Sequence, residues 1–370
     1  MSASAAAARD DVVARACREK LIDAVAAVAA TTAAPTRCII LSGGVDTAAI
    51  MRASADLGVT YACAITVLCG PDAPDRAFAA AVAAEHGLAH HVVEVTPADL
   101  IAEYLPSCVE SLRTFDGMTL RNALVVAAAL RRAAALGMKD AVVGDGADEL
   151  LGGYSFTWGE DDPPGTWRRK RDEMCATWTF ATAALAAARG VSSRAPFTSD
   201  AFARWATAET DRADCVGVVP IRLTLEGDAI EHVAGKLPLR RAFDTVASWR
   251  RKDPIEVGSG VAVVSNDAFW SEVVADDAFE EERDAWAARG VVIKNKEHLV
   301  NFRAYVKAFG GGGGGGGDGG GEDDVLRHPT KKWLGPGEGC AGCRFEIGDA
   351  TFCDVCGAYP AQRVVVAGGE

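Results

Sequence analysis

Apolar residues recur at helical spacing between residues 12 and 30 (Val12, Val13, Cys17, Leu21, Val25 and Val28), which predicts an amphipathic helix. Short β-rich runs then alternate with longer helical text. Residues 38–41 read as a strand that stops at Ser42-Gly43-Gly44, residues 47–57 as a helix and residues 61–68 as a second strand. Residues 76–86 are helical and end at Gly87, a natural C-cap, and residues 91–95 form a third strand. Residues 122–136 are helical, Gly137 closes them, and residues 140–143 form a fourth strand. Strands separated by helices of this length imply right-handed βαβ units and a parallel sheet, hence an α/β fold. From 159 to about 308 the text is dominated by tryptophan- and alanine-rich helical segments, with a charged, proline-containing loop at 159–172. The tract 310–321 holds 11 of the 39 glycines and predicts a flexible linker, about 20 Å end to end as a random coil. The partition expected is a 12–308 domain (12–158 the nucleotide-binding core, 159–308 its helical part), a 309–324 linker and a 325–370 cysteine-rich module.

Composition narrows this picture. Hydrophobic residues make up 49% of the 370, but many are alanine, which favours helix over thick aliphatic strands. No uncharged stretch exceeds 15 residues, short of the roughly 18 that suggest a membrane span. A net charge of −13 argues against a general electrostatic grip on nucleic acid. The N-terminus lacks a charged region followed by a long apolar one, so secretion is not expected and a cytoplasmic location is. Its first eight residues are alanine- and serine-rich, as in organellar import segments, but Asp10, Asp11 and Glu19 count against import. Seven of the eleven cysteines are scattered and read as buried free thiols.

The strongest chemistry lies in two loops. Ser42-Gly43-Gly44-Val45-Asp46-Thr47 follows a strand and opens a helix, where backbone N–H groups attract anions and glycines permit close approach to a phosphate. Ser42 and Thr47 offer hydroxyls, while Asp46 cannot favour an anion alone and implies a bridging Mg²⁺. The second loop, residues 144–154 (GDGADELLGGY), follows the fourth strand and can face the first across one crevice, because ligands bind beyond the carboxyl ends of strands in open parallel sheets. Asp46 and Asp148 then share the Mg²⁺ of a triphosphate. Asp145 is a substrate-orienting carboxylate or a turn former, and Glu149 a structural partner. Near the C-terminus, Cys340-x₂-Cys343-x₉-Cys353-x₂-Cys356 pairs two knuckles whose thiolates suit a closed structural Zn²⁺ site. The upstream patch Arg327, His328, Lys331, Lys332 and Trp333 reads as a solvated linker end ahead of a nucleic-acid or protein contact.

SGGVDT followed about 100 residues later by GDGADELLGGY resembles the synthetase domain of the asparagine synthetase family, an N-type ATP pyrophosphatase (adenine nucleotide alpha hydrolase-like) fold. The likeness extends to residues 113–123 (RTFDGMTLRNA), 188–197, 237–243 (LPLRRAF) and 249–260 (WRRKDPIEVGSG), and so covers roughly residues 12–308. The resemblance implies an ATP-dependent carbon–nitrogen ligase that forms an acyl-adenylate, releases pyrophosphate and lets ammonia or an amine displace AMP. It places Leu41, Ile65, Val143 and Gly144 at the nucleotide, and Ser42, Gly43, Gly44, Asp46 and Thr47 at pyrophosphate. It puts Asp46 and Asp148 on Mg²⁺, and Asp145 and Lys252 in catalysis, with Lys252 neutralising charge at the α-phosphate. By composition alone, residues 250–252 read equally well as a solvated basic face.

Several positions depart from the family pattern. Position 2 is Ser2 rather than a nucleophilic cysteine, so neither a glutaminase domain nor glutamine hydrolysis in cis is expected, and ammonia or a separate nitrogen-donor protein is expected to supply the nitrogen. Asp145 stands where the family usually has Glu, and Arg113-Thr114-Phe115-Asp116 replaces an ETYD-type segment, which weakens aspartate as the acceptor. Two other readings compete: a tRNA-modifying adenylating enzyme with a zinc module, and a non-catalytic ATP-binding scaffold.

Overall fold

The computed structural model describes residues 3–159, 163, 165–310 and 326–362. Most of the expected linker at 309–324, and the end of the cysteine-rich module beyond 362, therefore lie outside the described residues. In chain order the elements are α1 (Ala3–Thr31), β1 (Arg37–Ile40), α2 (Val45–Asp56), β2 (Cys63–Cys69), α3 (Asp75–Glu85), β3 (His90–Val95), α4 (Pro97–Leu112), α5 (Gly117–Ala135), β4 (Asp140–Val142) and α6 (Ala147–Leu151). There follow α7 (Thr166–Thr177), α8 (Ala181–Ala187), β5 (Ser192–Arg194), α9 (Asp200–Glu209), α10 (Arg212–Cys215), β6 (Gly217–Arg222), β7 (Ala229–Ala234), α11 (Leu237–Ala242) and α12 (Ile255–Gly258). The last are α13 (Asp267–Ser271), α14 (Asp276–Ala288) and α15 (Lys296–Phe309). Contacts divide the chain into two units: Met1–Val95 with Ala128–Gly260, and Thr96–Ala127 with Val261–Glu370.

The first unit holds a parallel five-stranded sheet in the order β3-β2-β1-β4-β5. All seven residues of β2 are buried, as an interior parallel strand requires, whereas edge strand β3 is half-exposed. Helix α1 starts earlier than its apolar pattern suggests. Its Val13, Cys17, Leu21 and Val25 form one buried stripe, which packs on α2, α9 and α11. These side chains join Ile39, Ala48, Ile50, Phe78, Phe202 and Leu239 in the main core. Chain order reverses between β1 and β4, which makes their carboxyl ends the switch point of the sheet. Beyond residue 159 the chain is mostly helical, and it also supplies β5 and the antiparallel hairpin β6–β7. The hairpin buries Val219, Ile221 and Ala234 on one face, a period of two that helical reading passes over.

The second unit packs α4 against α15 around an aromatic cluster. The Phe115 ring lies 5.1 Å from both Phe302 and Tyr305, and Trp286 meets Phe302 at 4.7 Å. Helix α4 opens with a capping box: Asp99 N donates to Thr96 Oγ1 at 3.1 Å, and Thr96 N to Asp99 Oδ2 at 3.2 Å. Arg121 reaches the buried Glu297 with two contacts, at 2.7 and 2.9 Å. No helix among the described residues is long and apolar enough to cross a membrane.

Candidate active site

The loop after β1 is shaped by what cannot fit there. Gly43 has φ +67°, and a Cβ on it would lie 2.3 Å from Ala79 N, so the backbone turns tightly against α3 as only glycine allows. Gly44 N donates to the exposed Ser42 hydroxyl at 3.2 Å, and Thr47 Oγ1 donates to Gly44 O at 3.5 Å. Gly44 also precedes α2 without any side-chain cap, which leaves the helix N–H groups to an anion. Leu41, the residue after β1, donates its N–H to Ile65 O at 2.8 Å, so these two sit side by side across β1 and β2. Both side chains are buried, as is Val143, the residue after β4.

The second loop comes up against the first. A Cβ on Gly144 would stand 2.9 Å from Asp46 Cβ and 3.6 Å from Thr47 Cγ2. Asp46 and Asp148 are joined by a residue that the motifs do not contain: Lys236 Nζ lies 2.6 Å from Asp46 Oδ2 and 2.8 Å from Asp148 Oδ1. Its side chain is 1% exposed. Lys252 Nζ approaches Asp148 Oδ2 from the other side at 3.2 Å and remains 30% exposed. Two carboxylates and two ammoniums therefore alternate in one cluster. Burial opposes charge on Asp148, but Lys236 and Lys252 overcome it and hold the carboxyl at about 2. Burial dominates at Asp46 and raises its carboxyl, with Lys236 offsetting only part of that rise. At Lys236 burial works against the charge, yet Asp148 and Asp46 outweigh it and raise the ammonium above its usual range.

Backbone crowding delivers that lysine. Lys236 adopts φ +61°, a conformation costing a non-glycine residue about 1–3 kcal/mol, and its N–H donates to Leu151 O at 2.9 Å. A Cβ on Gly153 would fall 1.8 Å from Asp148 Oδ1 and 2.6 Å from Lys236 Cε, so any larger residue would push amine and carboxylate apart. Arg240 ties the two lysine-bearing segments together, donating to Gly235 O at 2.9 Å and to Arg250 O at 2.8 Å. Arg250 is itself buried; it donates to Ser42 O at 2.8 Å and to Asp75 Oδ1 at 2.6 Å. The basic run at 250–252 thus divides by position: Arg250 braces the first loop, Arg251 faces solvent beside Asp253, and Lys252 enters the cluster.

Asp145 lies on the same loop, half-buried, its carboxyl pushed by burial up to about 6 although Thr182 hydrogen-bonds to it. Glu149 accepts from the Tyr154 hydroxyl at 2.7 Å, a structural partnership. Sequence motifs missed Lys236, Arg240 and Arg250. Lys236 stands immediately before the family-like segment 237–243, and Arg240 and Arg250 lie inside the segments 237–243 and 249–260, but their buried partners are distant in sequence and leave no local pattern.

Sulfur geometry defines a second centre. The Sγ atoms of Cys340, Cys343, Cys353 and Cys356 all lie within 4.8 Å of one another, with Cys340–Cys356 at 3.5 Å and Cys343–Cys353 at 3.6 Å. A tetrahedral zinc thiolate with bonds of about 2.3 Å separates its sulfurs by about 3.8 Å, so the donor set fits that ion. All four are fully buried, and Gly342 N donates to Cys340 Sγ at 3.3 Å. Six of the other seven cysteines are buried and Cys175 is half-buried.

A parallel sheet whose glycine loop and acidic loop meet at the switch point is the arrangement of a PP-loop nucleotide-binding domain. Residues 16–173 match the asparagine synthase family model. It is 26% identical over 226 residues to a protein of Dictyostelium discoideum described as "Probable asparagine synthetase (glutamine-hydrolyzing)", covering 58% of this chain and 38% of that one. It is 25% identical over 238 residues to "Asparagine synthetase (glutamine-hydrolyzing) 1" of Saccharomyces cerevisiae, covering 59% of this chain and 39% of the relative. The chain thus matches about two fifths of the length of these relatives.

Proposed function

We propose that the chain is an ATP-dependent ligase that joins a carboxylate to ammonia or an amine through an acyl-adenylate. The observation that carries this reading is the Asp46–Lys236–Asp148–Lys252 cluster at the switch point of a domain matching the asparagine synthase family. In it, Leu41, Ile65, Val143 and Gly144 receive the nucleotide, while Ser42, Gly43, Gly44 and Thr47 cradle pyrophosphate oxygens. The donor set suits Mg²⁺: Asp46 Oδ1 is buried without a hydrogen-bond partner, and carboxylate with phosphate oxygens is the hard set this ion prefers. Bound by Asp46 and Asp148, Mg²⁺ would neutralise phosphate charge.

The substrate carboxylate oxygen attacks the α-phosphorus, the bond from that phosphorus to the bridging oxygen breaks, and pyrophosphate leaves with the electron pair. Lys252, the more exposed of the two lysines, neutralises charge developing at the α-phosphate, while Lys236 compensates the aspartates beneath it. The nitrogen nucleophile then attacks the acyl carbon and AMP departs. Asp145 takes up the proton that the nitrogen gives away, a task suited to a carboxyl near 6. The nitrogen comes from free ammonia, an amine or a separate donor protein, and Zn²⁺ on the four cysteines is structural because four thiolates leave no open position.

Pyrophosphate release, measured with Mg·ATP across amino acids, with and without ammonia, and across tRNA, tests the proposal. Release dependent on a carboxylate and accompanied by AMP supports it. Release driven by tRNA alone replaces it with an RNA-modifying enzyme, and ATP binding with no turnover on any substrate reduces the chain to a scaffold.

A further inference from the structure

The four-cysteine module is fastened into the second unit by the backbone of its second knuckle. Three successive carbonyls each accept from a different part of that unit. Val355 O takes Phe115 N at 2.8 Å and the Thr114 hydroxyl at 3.0 Å. Cys356 O contacts His298 Nε2 at 3.2 Å, and Gly357 O takes Lys294 Nζ at 2.6 Å. A carbonyl only accepts, and His298 Nδ1 already accepts from Lys294 N at 3.1 Å, so the histidine carries its proton on Nε2. The fit is close: a Cβ on Gly357 would lie 1.9 Å from Asp116 Oδ1.

The segment gripped in this way is the start of α5. Asp116 Oδ2 accepts from Thr119 N at 2.9 Å and from Thr119 Oγ1 at 2.7 Å, which caps the helix. Asp116 N donates to Thr114 Oγ1 at 3.1 Å, and the Phe115 ring sits among His298, Phe302 and Tyr305. Residues 114–116 are therefore committed to the knuckle on one side and to a helix N-terminus on the other. Three adjacent carbonyls can be aimed at three partners only while the turn from Cys353 to Cys356 keeps its shape. In a segment this poor in apolar residues, thiolate–metal bonds supply that shape.

We propose that metal occupancy of the four-cysteine site is coupled to order in residues 113–119, with residues 353–357 acting as the clasp. This rests on the reading of the cysteines as a zinc site and adds a consequence to it. Coupling is reciprocal: whatever factor zinc contributes to the order of 113–119, that order returns to zinc affinity.

The test uses the full chain and begins with zinc stoichiometry. Failure to bind one equivalent ends the zinc reading and this proposal with it. With zinc bound, amide hydrogen exchange is compared before and after removal by a chelator. Peptides covering 113–123 and 294–302 are expected to lose protection by about tenfold or more, while those covering 37–69 keep theirs. Unchanged exchange in 113–123 after the zinc has left overturns the clasp. A second arm leaves every cysteine intact: Thr114→Val with Lys294→Met removes two of the donors. Zinc stoichiometry should stay at one while affinity, read by competition with a chromophoric chelator, falls about tenfold, within the usual range of coupling between sites. Unaltered affinity with unaltered exchange overturns the proposal even if chelation unfolds the whole chain.

Discussion

Around Lys236 the chain gathers two carboxylates and two ammoniums from positions 46, 148, 236 and 252, whereas the cysteine centre collects four thiols between Cys340 and Cys356. The first cluster balances its own charge. Its members come from distant segments and are held by crowded backbone at Gly153 and Lys236, and by the buried Arg240 and Arg250. The second is contiguous in sequence and carries no internal counter-charge, so its geometry suits an ion that the protein does not itself provide. The first is organised by its own side chains; the second has a donor set that a metal ion would complete. Self-compensation places the cost of disruption on the protein's stability, and metal completion places it on the supply of metal.

The sharpest way to break this contrast is Lys236→Met, which leaves Asp46 and Asp148 facing each other in a buried space. Loss of one partner from a buried ion cluster costs about 3–5 kcal/mol, so thermal unfolding of the first unit should occur about 10 °C lower. Pyrophosphate release should fall as well. A melting point unchanged in Lys236→Met would show that the aspartates are not held by charge balance.

Lys252→Ala should separate chemistry from stability. Its single ion pair is partly exposed and contributes less than about 1 kcal/mol to folding, whereas loss of a cation at the α-phosphate should slow pyrophosphate release by about 100-fold. Arg251→Ala, one position away and facing solvent, is the matched control and should change neither quantity. Equal losses in both variants would mean that the run acts as a diffuse basic surface.

The smallest effect expected belongs to Asp145. Its carboxyl is raised to about 6, so the ionised form needed for proton uptake accumulates as pH rises, and amide formation should climb through pH 6 and level above it. Asp145→Asn should remove that limb. For stability the sign reverses. A raised carboxyl favours the folded state below its unfolded value near 3.8, and the advantage disappears as pH rises through about 6. At pH 8 the asparagine variant should therefore be the more stable protein, by at most about 3 kcal/mol. A limb that persists in the variant assigns the titration to another group.

Legibility in the sequence followed the distance between interacting residues. The α/β alternation, the two glycine loops and the paired cysteine knuckles are local patterns and could be read directly. Helix α4 lies outside the alternating pattern read from sequence, although Thr96, Pro97 and Asp99 form the capping signal that starts it. The β6–β7 hairpin was absorbed into a helical region, its short alternation lying between tryptophan-rich helices. Lys236 meets Asp46 across 190 residues, and Thr114 meets Val355 across 241. Neither contact has a periodic signature, since each is chosen by tertiary packing.

The separation of Lys252 from Asp148, 104 residues along the chain, also governs when the first site can come into existence during synthesis. Translation runs from the N-terminus at about 5–20 residues per second, so both loops emerge some 5–20 seconds before the segment bearing Arg250 and Lys252. Until residue 236 is made Asp46 and Asp148 lack their cationic partners, and Asp75 lacks its own until residue 250, so these carboxylates must stay hydrated. The ion cluster is thus assembled late, and a ribosome stalled before residue 236 would carry a nascent chain with both glycine loops and neither of the lysines that pair with their aspartates.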